Sequence, residues 1–342
     1  MAIPDMMYKA LEKDFPHLRA EIRRAMAVSH QLRSKRVVDR RAAIPDKVPG
    51  QCEVNTFDAK NTKDIPGSQV GNEESPPLSS NTQAVFGDQN SRRFRIFSQN
   101  ILGLNGIDGA AGDLNCTTDY KEANAFQFSF EGHPHMVCGN GDGFFKPFVF
   151  CRDVVGHEEG HAFVALLAGH RYIIIFGVTD DGAINESHAD IIGECFEQWD
   201  DGVTVHEASW LMGEHCITEC QKAKGWIAIR TFDPNKPAYP GDEQPNHVSE
   251  RKFRPPLRQF DMGGVHYDSK LMNMPFKAFA VEHGGHYAFE APLDIFFSAL
   301  KVSKPFMKFV DVARLTVDCC ETRYPKHKAL LVDCWERFGH KL

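Results

Sequence analysis

No window of this 342-residue chain holds the ~18 consecutive apolar residues that a membrane-crossing helix needs, so an integral helical membrane protein is excluded. Positive charge is in deficit as well. Lys and Arg number 39 against 46 Asp and Glu, and the formal charge of −7 argues against a general binder of nucleic acid or of anionic membranes. The start, Met1-Ala2-Ile3-Pro4-Asp5-Met6-Met7-Tyr8, has no basic stretch followed by an apolar one, so no secretory signal peptide is expected. Asp5, Glu12, Asp14 and Glu21 make residues 1–41 too acidic for an Arg-rich transit peptide. There is no internal repeat and no low-complexity tract. The glycines of Cys138-Gly139-Asn140-Gly141-Asp142-Gly143 do not fit G-x-G-x-x-G, and no βαβ pattern surrounds them, which excludes a nucleotide loop. Ten cysteines are present, yet Cys216-x-x-x-Cys220 and Cys319-Cys320 lack the paired Cys-x-x-Cys knuckles of a structural zinc site. Without a signal peptide the default is reduced thiols, most of them packed as small hydrophobes.

What the chain does have is length for two packed domains and an extra segment. In residues 1–41, Leu11, Phe15, Leu18, Ile22 and Met26 recur at helical spacing, while Arg19, Arg23, Arg24, Arg33, Lys35, Arg36, Arg40 and Arg41 make the rest basic. A solvated helix face accounts for most of those charges. A basic helix ahead of an acidic body also suits a detachable prosegment. Residues 42–100 are rich in turn formers, with short runs such as Val54-Asn55-Thr56-Phe57-Asp58-Ala59 reading as strands. Residues 120–150 keep that texture, Ala125–Phe130 alternating cleanly, and from Asp153 onward the pattern is mostly helical. The expected class is α+β, β-rich first and α-rich after.

At that junction stands His157-Glu158-Glu159-Gly160-His161. In a helix, positions i and i+4 share a face, so two imidazoles can hold one zinc ion, and the glutamate beside the first can act as a general base. An ordinary helix with two histidines is the competing reading. A catalytic zinc needs three protein ligands and an open position. The places for a downstream third histidine hold Val164 and Leu167, and His170, nine residues past His161, falls on the wrong helical face and reads as incidental. In Gly182-Ala183-Ile184-Asn185-Glu186-Ser187-His188-Ala189-Asp190, Asp181-Gly182 reads as a turn and Asn185 as a helix cap. Glu186 and Asp190 are again i and i+4. Glu186 can bind the ion, and Asp190 can orient an imidazole from behind.

His-Glu-x-x-His followed by Gly-Ala-Ile-Asn-Glu-x-x-x-Asp resembles the thermolysin family of zinc metalloproteases, thermolysin being a known case of the two-histidine, one-glutamate site. Further motifs follow in that family's order: Phe57-Asp58-Ala59-Lys60-Asn61 with Ile65-Pro66-Gly67, Met136 through Gly143, Ala228-Ile229-Arg230, Asp261-Met262-Gly263-Gly264-Val265-His266 and Trp335-Glu336-Arg337. The resemblance implies a two-domain zincin: a short propeptide over 1–50, a β-rich catalytic domain over 51–155 and an α-helical one over 156–342. The short prosegment resembles the protealysin branch, made as leaderless precursors whose N-terminal segment blocks the cleft. Ile3-Pro4-Asp5-Met6-Met7-Tyr8 only approximates that branch's Pro-Pro-aromatic-Leu motif.

By this resemblance His157, His161 and Glu186 bind Zn2+, Asp190 supports from behind, and Glu158 is the general base toward a water that attacks the peptide carbonyl. Tyr172 and His266 resemble oxyanion donors, with Asp261 holding His266. Asn124 and Arg230 resemble the groups that grip substrate main chain. Phe145, Phe148, Val154 and Ile229 resemble the wall of a pocket that sets cleavage before Leu, Phe, Ile or Val; core packing accounts for them equally. Asp153, Glu197 and Glu214 fall where the family binds Ca2+, and Ser209 in place of a family aspartate limits the expectation to one ion. Other departures are Glu159-Gly160 between the histidines, Gln127 where an aromatic is usual, and a longer Ile173–Asp181 segment. The leading expectation is an endopeptidase made as an autoinhibited precursor. Its partners are peptide and protein substrates and its own propeptide, and it is made in the cytoplasm with export by a leaderless route. The alternative is a zinc-stabilised pseudoprotease or binding protein; intact Glu158, Tyr172 and His266 weigh against it.

Overall fold

The structure, a computed structural model, describes residues 52–107, 109, 111–130, 133–170, 180–255 and 261–342. The expected propeptide over 1–50, Tyr172 and the stretch 173–179 lie outside the described residues.

Among the described residues the first half builds a mixed five-stranded sheet, ordered β2-β1-β3-β5-β4. Its strands are β1 (Val54–Thr62), β2 (Ser68–Gly71), β3 (Leu114–Tyr120), β4 (Ala125–Phe130) and β5 (His133–Gly139). β1–β3 and β3–β5 pair parallel, while β1–β2 and β4–β5 pair antiparallel. That leaves β4 on an edge.

One element departs from the sequence expectation. Residues 42–100 read as turns and short strands, but Thr82–Phe97 forms the helix α1. Asn81 starts it, its side chain accepting the Ala84 N–H at 3.1 Å while donating to Asp58 Oδ2 at 2.7 Å. Ala84, Gly87, Ser91 and Phe94 are buried at helical spacing, but interleaved with buried Asp88 and Asn90. The polar members break the apolar stripe that would have announced the helix. Phe94 and Phe97 carry α1 into the main core, Phe94 lying 5.8 Å from Phe163 and 5.2 Å from Phe196 between ring centroids.

The second half is helical: α2 (Arg152–Leu167), α3 (Asp180–Asp201), α4 (Asp261–Asp268), α5 (Lys270–Glu282), α6 (Ala291–Val302), α7 (Phe309–Arg323) and α8 (Lys328–Arg337). Two short strands, β6 (Leu211–Met212) and β7 (Arg230–Thr231), pair antiparallel beside them. The architecture is therefore α+β, a mixed sheet followed by an α-helical part, with α2 between them.

The contact between α2 and α3 is set by small residues. A Cβ on Gly193 would lie 2.3 Å from the Asp153 carbonyl oxygen, and one on Gly160 would lie 3.2 Å from Ala189 Cα. Glycine at 193 admits a backbone approach that any side chain would wedge apart, while at 160 the clearance is only a few tenths of an ångström short for a Cβ. The mid-helix glycine at 193, costly for an isolated helix by up to ~1 kcal/mol, is thus explained by packing.

The thiols also differ from expectation. Cys151, at the N-cap of α2, forms a disulfide with Cys216, Cα atoms 6.0 Å apart. An isolated bridge pairing Phe145 with Ile217, and a Lys146 N–H to Cys216 carbonyl bond of 2.8 Å, bring the two cysteines together. Sequence spacing holds no record of that pairing. Of the eight free cysteines, six are buried, as the packed-hydrophobe reading expects.

Candidate active site

α2 places His157, Glu158 and His161 with ligand atoms all within 4.8 Å of one another, each fully or nearly fully buried. Glu186, from α3, faces them. Its Oε2 is 3.5 Å from His157 Nε2 and its Oε1 is 3.6 Å from His161 Nε2. Ligands at 2.0–2.1 Å around a tetrahedral zinc are separated by roughly 3.3 Å. Both histidine–glutamate distances are near that value, and the buried Nε2 of His157 has no hydrogen-bond partner of its own.

The rear nitrogens are pinned. His157 Nδ1 meets Asp190 Oδ1 at 2.8 Å, and His161 Nδ1 meets Asn185 Oδ1 at 2.6 Å. Because those oxygens accept, the Nδ1 atoms carry the protons and both Nε2 lone pairs face Glu186. Asp190 is itself braced by Arg230 and by Asn273 Nδ2 at 2.9 Å, and Asn273 Oδ1 takes the Ser187 hydroxyl at 2.5 Å. Burial opposes charge on Asp190, yet Arg230 and His157 beside it hold its carboxyl below the usual range. Burial likewise opposes charge on Glu186, but positive charge around it, that of His266 foremost, holds its carboxyl well below the usual range.

His266 enters from α4. Its Nδ1 donates to Asp261 Oδ1 at 2.7 Å, its backbone N–H to Asp261 Oδ2 at 2.9 Å, and its Nε2 reaches Glu186 Oε2 at 3.1 Å. The clasp needs Asp261, Met262, Gly263 and Gly264 all at positive φ, from 52 to 94°. Two adjacent glycines make that affordable.

The remaining expected residues fall as follows. Arg230 is buried, its Nη2 on Asp190 and 3.3 Å from His157 Nδ1. Asn124 is buried at the head of the edge strand β4. Phe145, Phe148, Val154 and Ile229 pack in one apolar cluster, each almost fully buried. Asp153 accepts the Val154 and Gly213 N–H groups, while Glu197 and Glu214 each lie 3.8 Å from His215 Nε2. Glu194, which the sequence reading passed over, is buried beside them and pushed up to about 8 by burial and by Asp153 and Glu214, against a bond from Gln198. Glu159 is buried too and raised to about 8, by burial first and then by the charge of Glu158.

Two expectations are corrected. Asn185 is no cap, because α3 already begins at Asp180 and Asp181-Gly182 lies within it; its side chain instead holds a zinc-side histidine. His170 is not incidental. Its ring is buried between Asp181 Oδ1 at 2.5 Å and Ser303 Oγ at 2.8 Å, and its carbonyl accepts from Asn185. The wrong-face argument assumed that α2 runs on to residue 170, whereas the helix ends at Leu167 and Gly169 turns the chain at φ 69°.

A helix presenting two pinned imidazoles with a buried glutamate beside the first defines the class: a zinc metalloendopeptidase. Residues 29–165 match the family model described as thermolysin metallopeptidase, catalytic domain, and residues 178–338 match that of its alpha-helical domain. The chain belongs to the thermolysin family of metallopeptidases. It is 29% identical over 298 residues to protease PrtS of Photorhabdus sp. (strain Az29), covering 84% of this chain and 76% of that one. It is 29% identical over 308 residues to an extracellular metalloprotease of Pectobacterium carotovorum subsp. carotovorum, covering 86% and 83%. Among solved structures it is similar to the precursor of protealysin from Serratia proteamaculans, with TM-score 0.76 and 27% identity over 87% of this chain and 91% of that one.

Proposed function

We propose that this metallopeptidase cleaves peptide bonds on the amino side of Leu, Phe, Ile or Val, with His157, His161 and Glu186 holding the zinc and Glu158 as general base. The observation that carries the reading is the convergence of two outward Nε2 atoms and one carboxylate at tetrahedral spacing, each imidazole fixed from behind. A bound zinc supplies Lewis-acid polarisation of the substrate carbonyl and acidifies water. Glu158, buried one residue after a ligand, takes the proton from the attacking water and returns it to the leaving amine. His266 stands ready to donate from Nε2, with Asp261 fixing its ring, and Tyr172 is assigned as the second oxyanion donor on sequence grounds.

Among the described residues strand β4 stands last in the order of the five-stranded sheet, and Asn124 at its head is assigned to hold the substrate main chain. The cluster of Phe145, Phe148, Val154 and Ile229 supports an apolar preference for the side chain after the scissile bond. Arg230 braces Asp190 beside His157 and is assigned to grip the substrate carbonyl. Asp153, Glu197 and Glu214, joined by Glu194, take one calcium ion, whose charge would offset buried carboxylates that oppose one another. Residues 1–50 serve as an intramolecular inhibitor removed on maturation. Among the described residues no helix is long and apolar enough to cross a membrane.

The test is Glu158→Gln in the full chain. It is expected to fold and bind zinc, to leave casein uncut and to retain its N-terminal segment, while a zinc chelator abolishes cleavage by the parent. Cleavage by Glu158→Gln at the parental rate would sink the assignment.

A further inference from the structure

We propose that His170 is a positioning residue for the zinc site, clamping two successive turns of α3 so that Asn185 holds the zinc-side imidazole of His161. This rests on the reading of His161 as a zinc ligand.

The geometry is a closed ring of side chains. His161 Nδ1 donates to Asn185 Oδ1 at 2.6 Å, and Asn185 Nδ2 donates to the His170 carbonyl at 2.7 Å. His170 lies nine residues beyond His161 on the same chain, so Asn185 bridges the end of α2 to its own ligand. The ring of His170 then bonds Asp181 Oδ1 at 2.5 Å, and Asp181 is four residues before Asn185 on α3. One residue therefore grips α3 twice on one face, by its carbonyl and by its imidazole. Asp181 Oδ1 also accepts the Phe306 N–H at 2.9 Å, and Ser303 Oγ stands 2.8 Å from His170 Nε2. The clasp thus reaches the end of α6 and the turn after it.

Asp181, His170 and Ser303 stand in the order of a hydrolase triad. The arrangement does not provide a nucleophile, because Ser303 Oγ donates to the Leu300 carbonyl at 2.9 Å and all three side chains are buried. Its chemistry is that of a fixed polar network in a dry interior, where every group is satisfied and each holds the next. Gly169, at φ 69°, lets the chain turn at that point, so the position of the His170 carbonyl depends on what anchors its ring. Loss of the ring leaves the carbonyl free to drift, and with it the amide that orients His161.

Partners behind metal ligands typically change metal affinity or activity by 10–100-fold. The experiment uses the full chain carrying Glu158→Gln, so that autolysis does not intervene, and measures zinc affinity by competition with a chromogenic chelator. Asn185→Ala is expected to weaken zinc about 10–100-fold, and His170→Leu about tenfold. The double variant should match Asn185→Ala alone within twofold, because the second change cuts a chain already broken. In chains with Glu158 intact, His170→Leu should lower kcat with KM unchanged, and His170→Gln, which keeps one of the two ring bonds, should recover part of the loss. Parental zinc affinity in His170→Leu, or losses that multiply in the double variant, would overturn the proposal and leave His170 as core packing. Should His170→Leu fail to fold, Ser303→Ala and Asp181→Asn each weaken one end of the clasp and carry the same comparison. His161→Ala separates the two levels: zinc retained there refutes the ligand assignment, whatever His170 does.

Discussion

The register of α2 on α3 is open to a paired test with opposite outcomes. A Cβ at Gly193 would sit 2.3 Å from the Asp153 carbonyl oxygen and 2.9 Å from the His157 nitrogen, both backbone atoms. Ordinary non-bonded approach is ~3.5 Å, so Gly193→Ala must push the first turns of α2 away by roughly 1 Å. Overpacking of that kind costs about 1–3 kcal/mol, and alanine returns about 1 kcal/mol of helix propensity. Net stability then falls by no more than about 2 kcal/mol. Catalysis should suffer far more, since a 1 Å misplacement costs about 100-fold, and α2 carries two of the proposed ligands while α3 carries the proposed third. At Gly160 the added Cβ would meet Ala189 Cα at 3.2 Å, a correction of a few tenths of an ångström. There the propensity gain of about 1 kcal/mol offsets the strain, so Gly160→Ala should keep its melting temperature and most of its activity. The assay is kcat/KM on a peptide with Leu after the scissile bond, alongside zinc affinity and thermal midpoints in the Glu158→Gln background. A Gly193→Ala enzyme within threefold of the parent would refute the claim that this contact sets the distance between ligands.

Two further predictions concern pH. Burial pushes His135 down to about 4, so the unfolded chain binds the extra proton between pH 6.5 and 4. Its contribution is full above pH 6.5 and is lost progressively toward pH 4, by roughly 3 kcal/mol; His135→Gln should flatten that part of the melting-temperature profile, and an unchanged profile would refute it. Glu194 has the opposite sign. Raised to about 8, it favours the folded state most below pH 4.5 and loses that contribution as pH rises to 8. Calcium should therefore raise the melting temperature more at pH 8.5 than at pH 5.5, and Glu194→Gln should remove most of that difference; equal calcium effects at both pH values would exclude Glu194 from the site.

The zinc motif was legible because its chemistry is local in sequence: helical periodicity alone puts His157 beside His161 and Glu186 beside Asp190. Roles that depend on where a helix stops were not legible. His170 was set aside by continuing α2 three residues too far, and Asn185 was taken for a cap because α3 starts five residues earlier than its turn-like Asp181-Gly182 implies. α1 was missed because buried Asp88 and Asn90 interrupt its apolar face, and each is buried only because it has a partner: Asp88 bonds Arg92, and Asn90 donates to the Val149 carbonyl at 2.7 Å. Asn273 had no signal at all. It lies 83 residues from the aspartate it braces, and only the packing of α5 against α3 joins them.

These cases share a cause that bears on how the site works. Glu186 on α3 faces the two imidazoles, while Asn185 and Asp190 on the same helix hold the rear nitrogens of both histidines. α2 supplies the imidazoles, but α3 decides where each of them points. The unusual Glu159-Gly160 pair then reads as part of that fit: Gly160 is where α2 lies against Ala189, and Glu159 is buried beside it with a raised carboxyl. Burial first, and then the charge of Glu158, push the Glu159 carboxyl up to about 8, which opposes a second buried charge beside the base. Gly193 is the residue that sets how closely α3 approaches α2, and Gly160 completes that contact without fixing it.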